Sequence, residues 1–379
     1  MHMRRSRRAF LARTGSTLAM IAGGWTGRGL TQARQRLDRL DLLQYRDEAG
    51  RPRPVTSAND WLRRRAEILQ GMQDVMGALP DAARTPPDFE VTAEVDCGSY
   101  LRRAITYEAD AGTRTPAYLL VPKRLLGTAA RAPAVLCLHP TDDRIGHDVV
   151  VGLGGRPNRA YAAELAERGF VALAPSYPLL ARYQPDVRRI GYVSGTMKAI
   201  HDNRRGIDLL ESLPFVARGG VGAIGHSLGG HNAVFTAAFD ERIRVVVSSC
   251  GLDLFTDYYG GDPKVWQPER GWCQLRYMPR LLEYAGRLQD IPFDFAEVIG
   301  ALAPRVCFLS APTRDTNFRW QSVDRIVSAA RPVYELYGKP ERLIVEHPDS
   351  DHDFPEPMRL EAYSLLAALQ AGTPAGDGR

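Results

Sequence analysis

From about residue 133 the chain alternates short, unbroken apolar runs with longer segments whose apolar residues recur at helical spacing. The runs cover 133–138, 170–174, 221–224, 243–248, 305–310 and Leu343 to Val345; helices are expected near 158–168, 195–212, 228–239, 319–337 and 356–370. A strand that is apolar on both faces is covered on both faces. The pattern therefore predicts the α/β class: a mostly parallel sheet with helices on either side. Upstream, residues 89 to 121 alternate apolar and polar positions as strands do, ending in Ala117 to Val121 before Pro122. A helix capped by Asn59 or Asp60 runs to about Leu79, with Leu62, Ala66, Leu69, Met72 and Met76 at helical spacing, and is expected to pack as an appendage. Residues 38–58 are polar and broken by Pro52 and Pro54, which reads as a linker or extension. The expected division is an N-terminal extension over 34–88 and a catalytic domain over 89–379 that carries an insertion at about 250–303.

The chemistry gathers at one strand-to-helix turn. Val221 to Gly230 holds Gly225-His226-Ser227-Leu228-Gly229, a G-x-S-x-G pentad. An apolar strand enters it and a helix of small residues (Gly229, Gly230, Ala233, Ala237, Ala238) leaves it, which is the context that makes the pentad a nucleophile elbow. The turn is so sharp that side chains at the glycine positions would clash, and it leaves Ser227 projecting from the sheet. A serine hydroxyl is a weak nucleophile at neutral pH, so it needs a base, and the base needs an orienting carboxylate.

Downstream of Ser227 the base candidates are His231, His347 and His352. His231 is one turn into the helix and reads as packing or a cap; His347 closes the last strand. His352 lies in the loop Pro348 to Pro355 after that strand, at the sheet edge where catalytic groups of open α/β sheets gather, and is preferred. For the acid, Asp315 follows the strand ending at Ser310, and its rival Asp253 follows the strand ending at Ser249; Asp315 is preferred, with Asp253 left open. Asp349, Asp351 and Asp353 read as loop and turn carboxylates. Acyl transfer also needs donors for the developing oxyanion. The backbone N–H of Leu228 is one, and Thr141, in the loop His139-Pro140-Thr141 after the strand Ala134 to Leu138, is the expected second, because Pro140 has no N–H. His139 reads as shaping that loop.

These residues carry a resemblance. From about 89 to 370 the chain resembles the α/β-hydrolase superfamily, most closely its dienelactone hydrolase and acetyl xylan esterase-like branch, through Leu138 to Thr141, Gly225 to Gly229, Asp315 and Asp351 to Phe354. The resemblance implies cofactor-free hydrolysis of a carboxylic ester through an acyl-enzyme, with neither metal nor cofactor. Two departures from the branch stand out: Pro140 replaces a glycine of the oxyanion loop, and the nucleophile is Ser where true dienelactone hydrolases have Cys.

The insertion carries Tyr258, Tyr259, Trp266, Trp272, Tyr277, Phe293 and Phe295 among Arg270, Arg276 and Arg280. Either its aromatic faces line a pocket for an acetylated sugar or a uronic acid ester, or they bury the insertion against the sheet. Two other classes share the fold. A prolyl-oligopeptidase-type peptidase usually has a propeller of several hundred residues, whereas about 90 residues precede the catalytic domain. A non-catalytic binding protein on this fold would lack a triad member, and every member has a candidate.

Five cysteines without metal or disulfide spacing add no framework, and Cys137 and Cys307 sit inside apolar runs. Composition, 44% hydrophobic and 25% charged, excludes a disordered chain. The net charge of +5 would raise the question of nucleic acid, but it sits at one end. Arg4, Arg5, Arg7 and Arg8 precede Ala9-Phe10-Leu11, and no acidic residue occurs before Asp38. Ser6 to Leu11 resembles a twin-arginine export signal, Thr14 to Ala22 suits its mildly apolar core, and Thr31-Gln32-Ala33 is a loose cleavage site. Residues 1–33 hold six Arg and no acid, so the remainder carries 43 basic against 44 acidic residues, a balance of −1. The expected product is a near-neutral, exported enzyme, periplasmic or secreted, with no nucleic-acid partner and no membrane span after signal removal; its oligomeric state is left open.

Overall fold

The computed structural model describes residues 36–81 and 85–371; the arginine-rich segment read as an export signal lies outside them. In chain order the regular elements are β1 (Gln44–Arg46), β2 (Pro52–Pro54), α1 (Ala58–Met76), β3 (Phe89–Asp96), β4 (Tyr100–Asp110), β5 (Thr113–Pro122), β6 (Ala132–Leu138), α2 (Tyr161–Glu167), β7 (Val171–Pro175), α3 (Gly195–Ser212), β8 (Val216–His226), α4 (Leu228–Phe239), β9 (Ile243–Ser249), α5 (Phe295–Ala301), β10 (Val306–Ser310), α6 (Trp320–Leu336), β11 (Leu343–Glu346) and α7 (Glu356–Ala367). Nine strands form one sheet in the order β11-β10-β9-β8-β6-β7-β5-β4-β3. The joins from β7 through β6, β8, β9 and β10 to β11 are parallel, and those linking β7, β5, β4 and β3 are antiparallel.

The apolar runs split by the two-residue period of a strand. In β6, Ala134, Leu136 and Leu138 face one core while Val135 and Cys137 face the other; in β10, Cys307 and Leu309 are divided from Phe308 in the same way. The first core is covered by α1, α3, α4, α5 and α6, the second by α2 and α7. Cys137 and Cys307 are buried free thiols, and burial pushes the Cys307 thiol up to about 12.

Three expectations about the extension change. Residues 38–58 are not a bare linker: β1 and β2 pair antiparallel around a turn in which the Gly50 N–H donates to the Asp47 carbonyl at 2.8 Å. Pro52 and Pro54 fit because a two-stranded ribbon is all edge and needs few N–H donors. In α1 the buried face is Trp61, Ile68, Met72 and Val75, while Leu62 stays exposed. The cap is Ser57 and not Asn59 or Asp60, which fall inside the first turn: Ser57 Oγ accepts the Asp60 N–H, 3.2 Å away, and the helix packs Trp61 against Gly300 of α5, where a Cβ would lie 3.3 Å from the indole. Arg64 of α1 and Arg36 both pair with the buried Glu297 of α5, and Arg39 pairs with the buried Asp294 at its N-cap.

Parallel strands end on the same side, so the segments after β6, β8, β10 and β11 share one sheet edge. His139 to Thr141, Ser227, Asp315 and His352 all lie in those segments.

Candidate active site

Ser227 joins β8 directly to α4 at φ 56°, ψ −120°, outside the regions where serine rests without strain. Neighbours hold it there. Its N–H donates to the Ser249 carbonyl at the end of β9, 2.8 Å away, and α4 begins at the next residue. The two glycines of the pentad are required by contact: a Cβ on Gly225 would lie 2.1 Å from the Gly229 carbonyl oxygen, and one on Gly229 would lie 1.9 Å from that of Leu138. The close approach of β6, β8 and α4 is what the elbow consists of.

His352 Nδ1 lies 2.8 Å from Asp315 Oδ2, and the other carboxylate oxygen accepts the N–H groups of Asn317 at 2.8 Å and Phe318 at 3.1 Å. Burial works against ionisation of Asp315, but the bond to His352 and the two backbone donors outweigh it and hold the carboxyl below its ordinary value. An ionised Asp315 accepts from Nδ1–H, which leaves Nε2 of His352 as the ring's free acceptor. His352 and Ser227 line one cavity of about 480 Å³, together with Thr141, Arg144, Arg156, Arg159 and His226.

Asp253 is not brought to His352. Its carboxylate is buried, with the Ser322 hydroxyl and the Arg319 backbone near it but outside good hydrogen-bond geometry, and burial pushes the carboxyl up to about 7. His347 is held elsewhere, Nδ1 to the Ala311 carbonyl at 2.8 Å and Nε2 to Asp324 at 2.9 Å. The three loop carboxylates each tie the His352 loop down. Asp349 and Asp351 bind Arg314, while Asp353 binds Arg159 and Asn158. Arg159 is nearly fully buried and also donates to the carbonyl of His352 at 3.2 Å.

Leu228 is the first residue of α4, so its N–H belongs to the turn without intrahelical acceptors. Thr141 reaches the same place from β6, its hydroxyl 2.9 Å from that of Tyr277. His139 accepts the Tyr177 N–H at Nε2 (2.9 Å), so Nδ1 carries the proton donated to the Pro140 carbonyl at 2.7 Å. Burial pushes its pKa down to about 4, and a neutral imidazole locks the loop.

A second cavity, about 160 Å³, shares Ser227 and Thr141 with the first and is lined besides by Leu228, His231, Tyr258, Trp272, Tyr277 and Phe318 among others. The aromatics of the insertion divide between core and cavity. Trp266, Phe293 and Phe295 bury it in the core, while Tyr258, Trp272 and Tyr277 face the cavity beside Ser227. Of its arginines, Arg276 pairs with Asp143 at 2.5 Å and Arg280 donates to the Asp74 carbonyl at 2.9 Å.

His231, read from sequence as packing or a cap, is buried and packs on Phe235, Trp272 and Tyr277. Its ring is 4.7 Å from that of Trp272, both of its nitrogens and the Trp272 Nε1 are buried without a partner, and burial pushes its pKa down to about 3. A buried polar group without a partner costs about 1–3 kcal/mol, and both line a cavity that a polar ligand would share. Arg159, far from any motif, left no sequence signal; His226 stands inside the pentad but was given no role, and it lies 4.7 Å from the His352 ring and is bonded to Ser249 at 3.1 Å. Among the described residues, His226, Cys250 and His352 offer donor atoms within 4.8 Å of one another. They suit a metal poorly, since burial holds the Cys250 thiol well above its ordinary value and its Sγ is engaged with the Asp353 carbonyl at 3.2 Å.

No family model matches the chain. The YtaP protein of Bacillus subtilis (strain 168), described as a candidate hydrolase, is 24% identical over 324 residues, 80% of this chain and 98% of its own length. Among solved structures, a glucuronoyl esterase from Solibacter usitatus superposes with a TM-score of 0.69 at 19% identity, over 89% of this chain and 98% of that one. A carbohydrate esterase family 15 glucuronoyl esterase from Caldicellulosiruptor kristjansonii gives 0.64 at 19% identity, over 88% and 91%. Likeness at these identities shows the fold, and it is the α/β-hydrolase fold that the elbow and the order of Ser227, Asp315 and His352 led us to expect.

Proposed function

We propose that the protein is a serine-dependent carboxylic ester hydrolase acting on a carbohydrate ester, with Ser227 as nucleophile, His352 as base and Asp315 as its orienting acid. The observation that carries this reading is the bond between His352 Nδ1 and Asp315, made on the wall of the cavity that also holds the strained Ser227.

In the first half-reaction Nε2 of His352 takes the Ser227 proton as Oγ bonds to the ester carbonyl carbon, and the carbonyl electron pair moves onto oxygen. The backbone N–H of Leu228, with Thr141 beside it, faces that oxyanion. The bond from carbon to the alcohol oxygen then breaks, and His352 returns the proton to the departing alcohol. Water repeats the sequence on the acyl-enzyme and releases the acid. No cofactor is needed at any step.

Because His352 protonates the leaving group, the alcohol portion lies in its cavity and the acyl portion in the aromatic one beyond Leu228. The unpartnered His231 and Trp272 Nε1 there favour a hydroxylated acyl group, as in a uronic acid, over plain acetyl. The esterases that the fold resembles are named for glucuronoyl substrates, which agrees with that choice. The arginine-rich N-terminus supports export by the twin-arginine route. Among the described residues, no helix is long and apolar enough to cross a membrane.

The test is Ser227→Ala. It should abolish fluorophosphonate labelling and cut hydrolysis of methyl glucuronate, acetylated sugars and simple aryl esters by on the order of 10⁵-fold or more; retained labelling would remove Ser227 from its role.

A further inference from the structure

The cavity shared by Ser227 and His352 carries more cation than its own carboxylates neutralise. Arg159 is paired with Asp353, and Asp143 with Arg276. Asp142 spends one carboxylate oxygen as a turn cap, accepting the N–H groups of Arg144 and Ile145 at 2.9 Å each. Arg144 and Arg156 also line this cavity; Arg144 lies within Coulombic reach of Asp142, but among the described residues neither guanidinium is in ion-pair contact or makes a side-chain hydrogen bond. Both are exposed, so an arriving ligand meets them without first breaking a contact.

Their position relative to the chemistry decides what they face. His352 lies in this cavity, and His352 is the group that must hand a proton to the departing alcohol oxygen. Leu228 and the aromatic wall line the other cavity, which shares Ser227 and Thr141 with this one but not His352 or the arginines. In a uronic acid ester the carboxyl is the reacting group and bears no charge, so the acyl portion gives the two arginines nothing to neutralise. We infer that Arg144 and Arg156 select an ester whose alcohol portion carries a carboxylate. The inference rests on the assignment of Ser227 and His352 given above, and extends it to the leaving-group side of the substrate. Guanidinium forks fit carboxylates in two-point contact, and at an exposed rim the attraction is screened by salt.

Three esters of one acyl group test it: 4-carboxybenzyl, 4-carbamoylbenzyl and benzyl D-glucuronate. The expected result is a kcat/KM about tenfold higher for the carboxylate than for its neutral amide at low ionic strength. That ratio should shrink in 0.5 M NaCl and fall to between one and two in R144Q/R156Q. Equal turnover of the carboxylate and amide esters, or a preference that survives in the double variant, overturns the inference while leaving ester hydrolysis standing. A second measurement needs no turnover. Calorimetric binding of 4-(hydroxymethyl)benzoate to the full chain carrying Ser227→Ala should weaken about tenfold when both arginines are replaced, and 4-(hydroxymethyl)benzamide should show no such difference. If none of the esters is hydrolysed, the uronic acyl group falls, and with it the proposed function if acetylated sugars and aryl esters are also untouched; the binding arm still decides the anion site, and unchanged or undetectable benzoate binding removes it.

Discussion

Asp315 and Asp253 leave the same sheet edge from neighbouring strands, and their surroundings drive them apart. Asp315 is held ionised by His352 and two backbone donors, whereas Asp253 is buried with none in good hydrogen-bond geometry and its carboxyl is pushed up to about 7. Asp315→Asn should lower kcat by about 10³–10⁴-fold, because an amide leaves His352 in the wrong tautomer. Asp253→Asn should retain turnover and change stability instead. A carboxyl whose folded pKa is raised from about 4 to about 7 lends stability that is complete below pH 4 and is lost as pH rises through 7. The asparagine variant suffers no such loss, so its advantage over the parent should grow from nothing near pH 4 to on the order of 2–4 kcal/mol at pH 8. Urea unfolding across that range, with ester turnover beside it, checks both halves; a dead D253N or an active D315N would exchange the two roles. The sequence favoured Asp315 and left Asp253 open, since both follow strands of the same sheet. What separates them is hydrogen bonding and burial, and these are decided by how the loops fold.

The strands and long helices could be read from the chain because their signal is local: apolar runs for strands covered on both faces, and helical spacing between them. The elbow could be read because Gly225 and Gly229 are forced by backbone contacts under 2.2 Å from where a Cβ would sit. The insertion could not, since its short helical turns have no sustained period, and nothing in the order of residues tells cavity-lining Trp272 from core Trp266. The same limit hid Arg159. It stands just before α2 and holds the loop between β11 and α7 through Asp353 and the His352 carbonyl. Arg159→Met keeps the length of the side chain and removes its donors. It should lower kcat by about 10–100-fold with a smaller change in KM, because misplacing the base slows chemistry more than binding. The rate of fluorophosphonate labelling should fall by the same factor. A loss of melting temperature with labelling unchanged would make Arg159 a stabilising residue alone.

At the scale of the molecule, the positive charge of the whole chain belongs to residues 1–33, and the compact unit begins at Arg36. The first residues of that unit do structural work. Arg36 and Arg39 reach the buried Glu297 and Asp294, Arg39 also donates to the Leu288 carbonyl at 3.1 Å, and Leu37 and Leu42 are buried. Burial drives both carboxyls upward, Glu297 to about 6, so each depends on its arginines to remain ionised. Any processing of the N-terminus must therefore stop short of Arg36. A chain starting at Arg34 keeps every one of these contacts and should match the full chain in urea midpoint and ester turnover. A chain starting at residue 43 leaves Asp294 without its arginine and Glu297 with Arg64 alone, and stranding buried charge in this way costs about 3–5 kcal/mol. Comparing the two truncations by urea unfolding separates a dispensable segment from one the fold needs: equal midpoints would mean that the ion pairs to α5 contribute nothing, and a loss already present in the longer form would move the boundary toward the N-terminus.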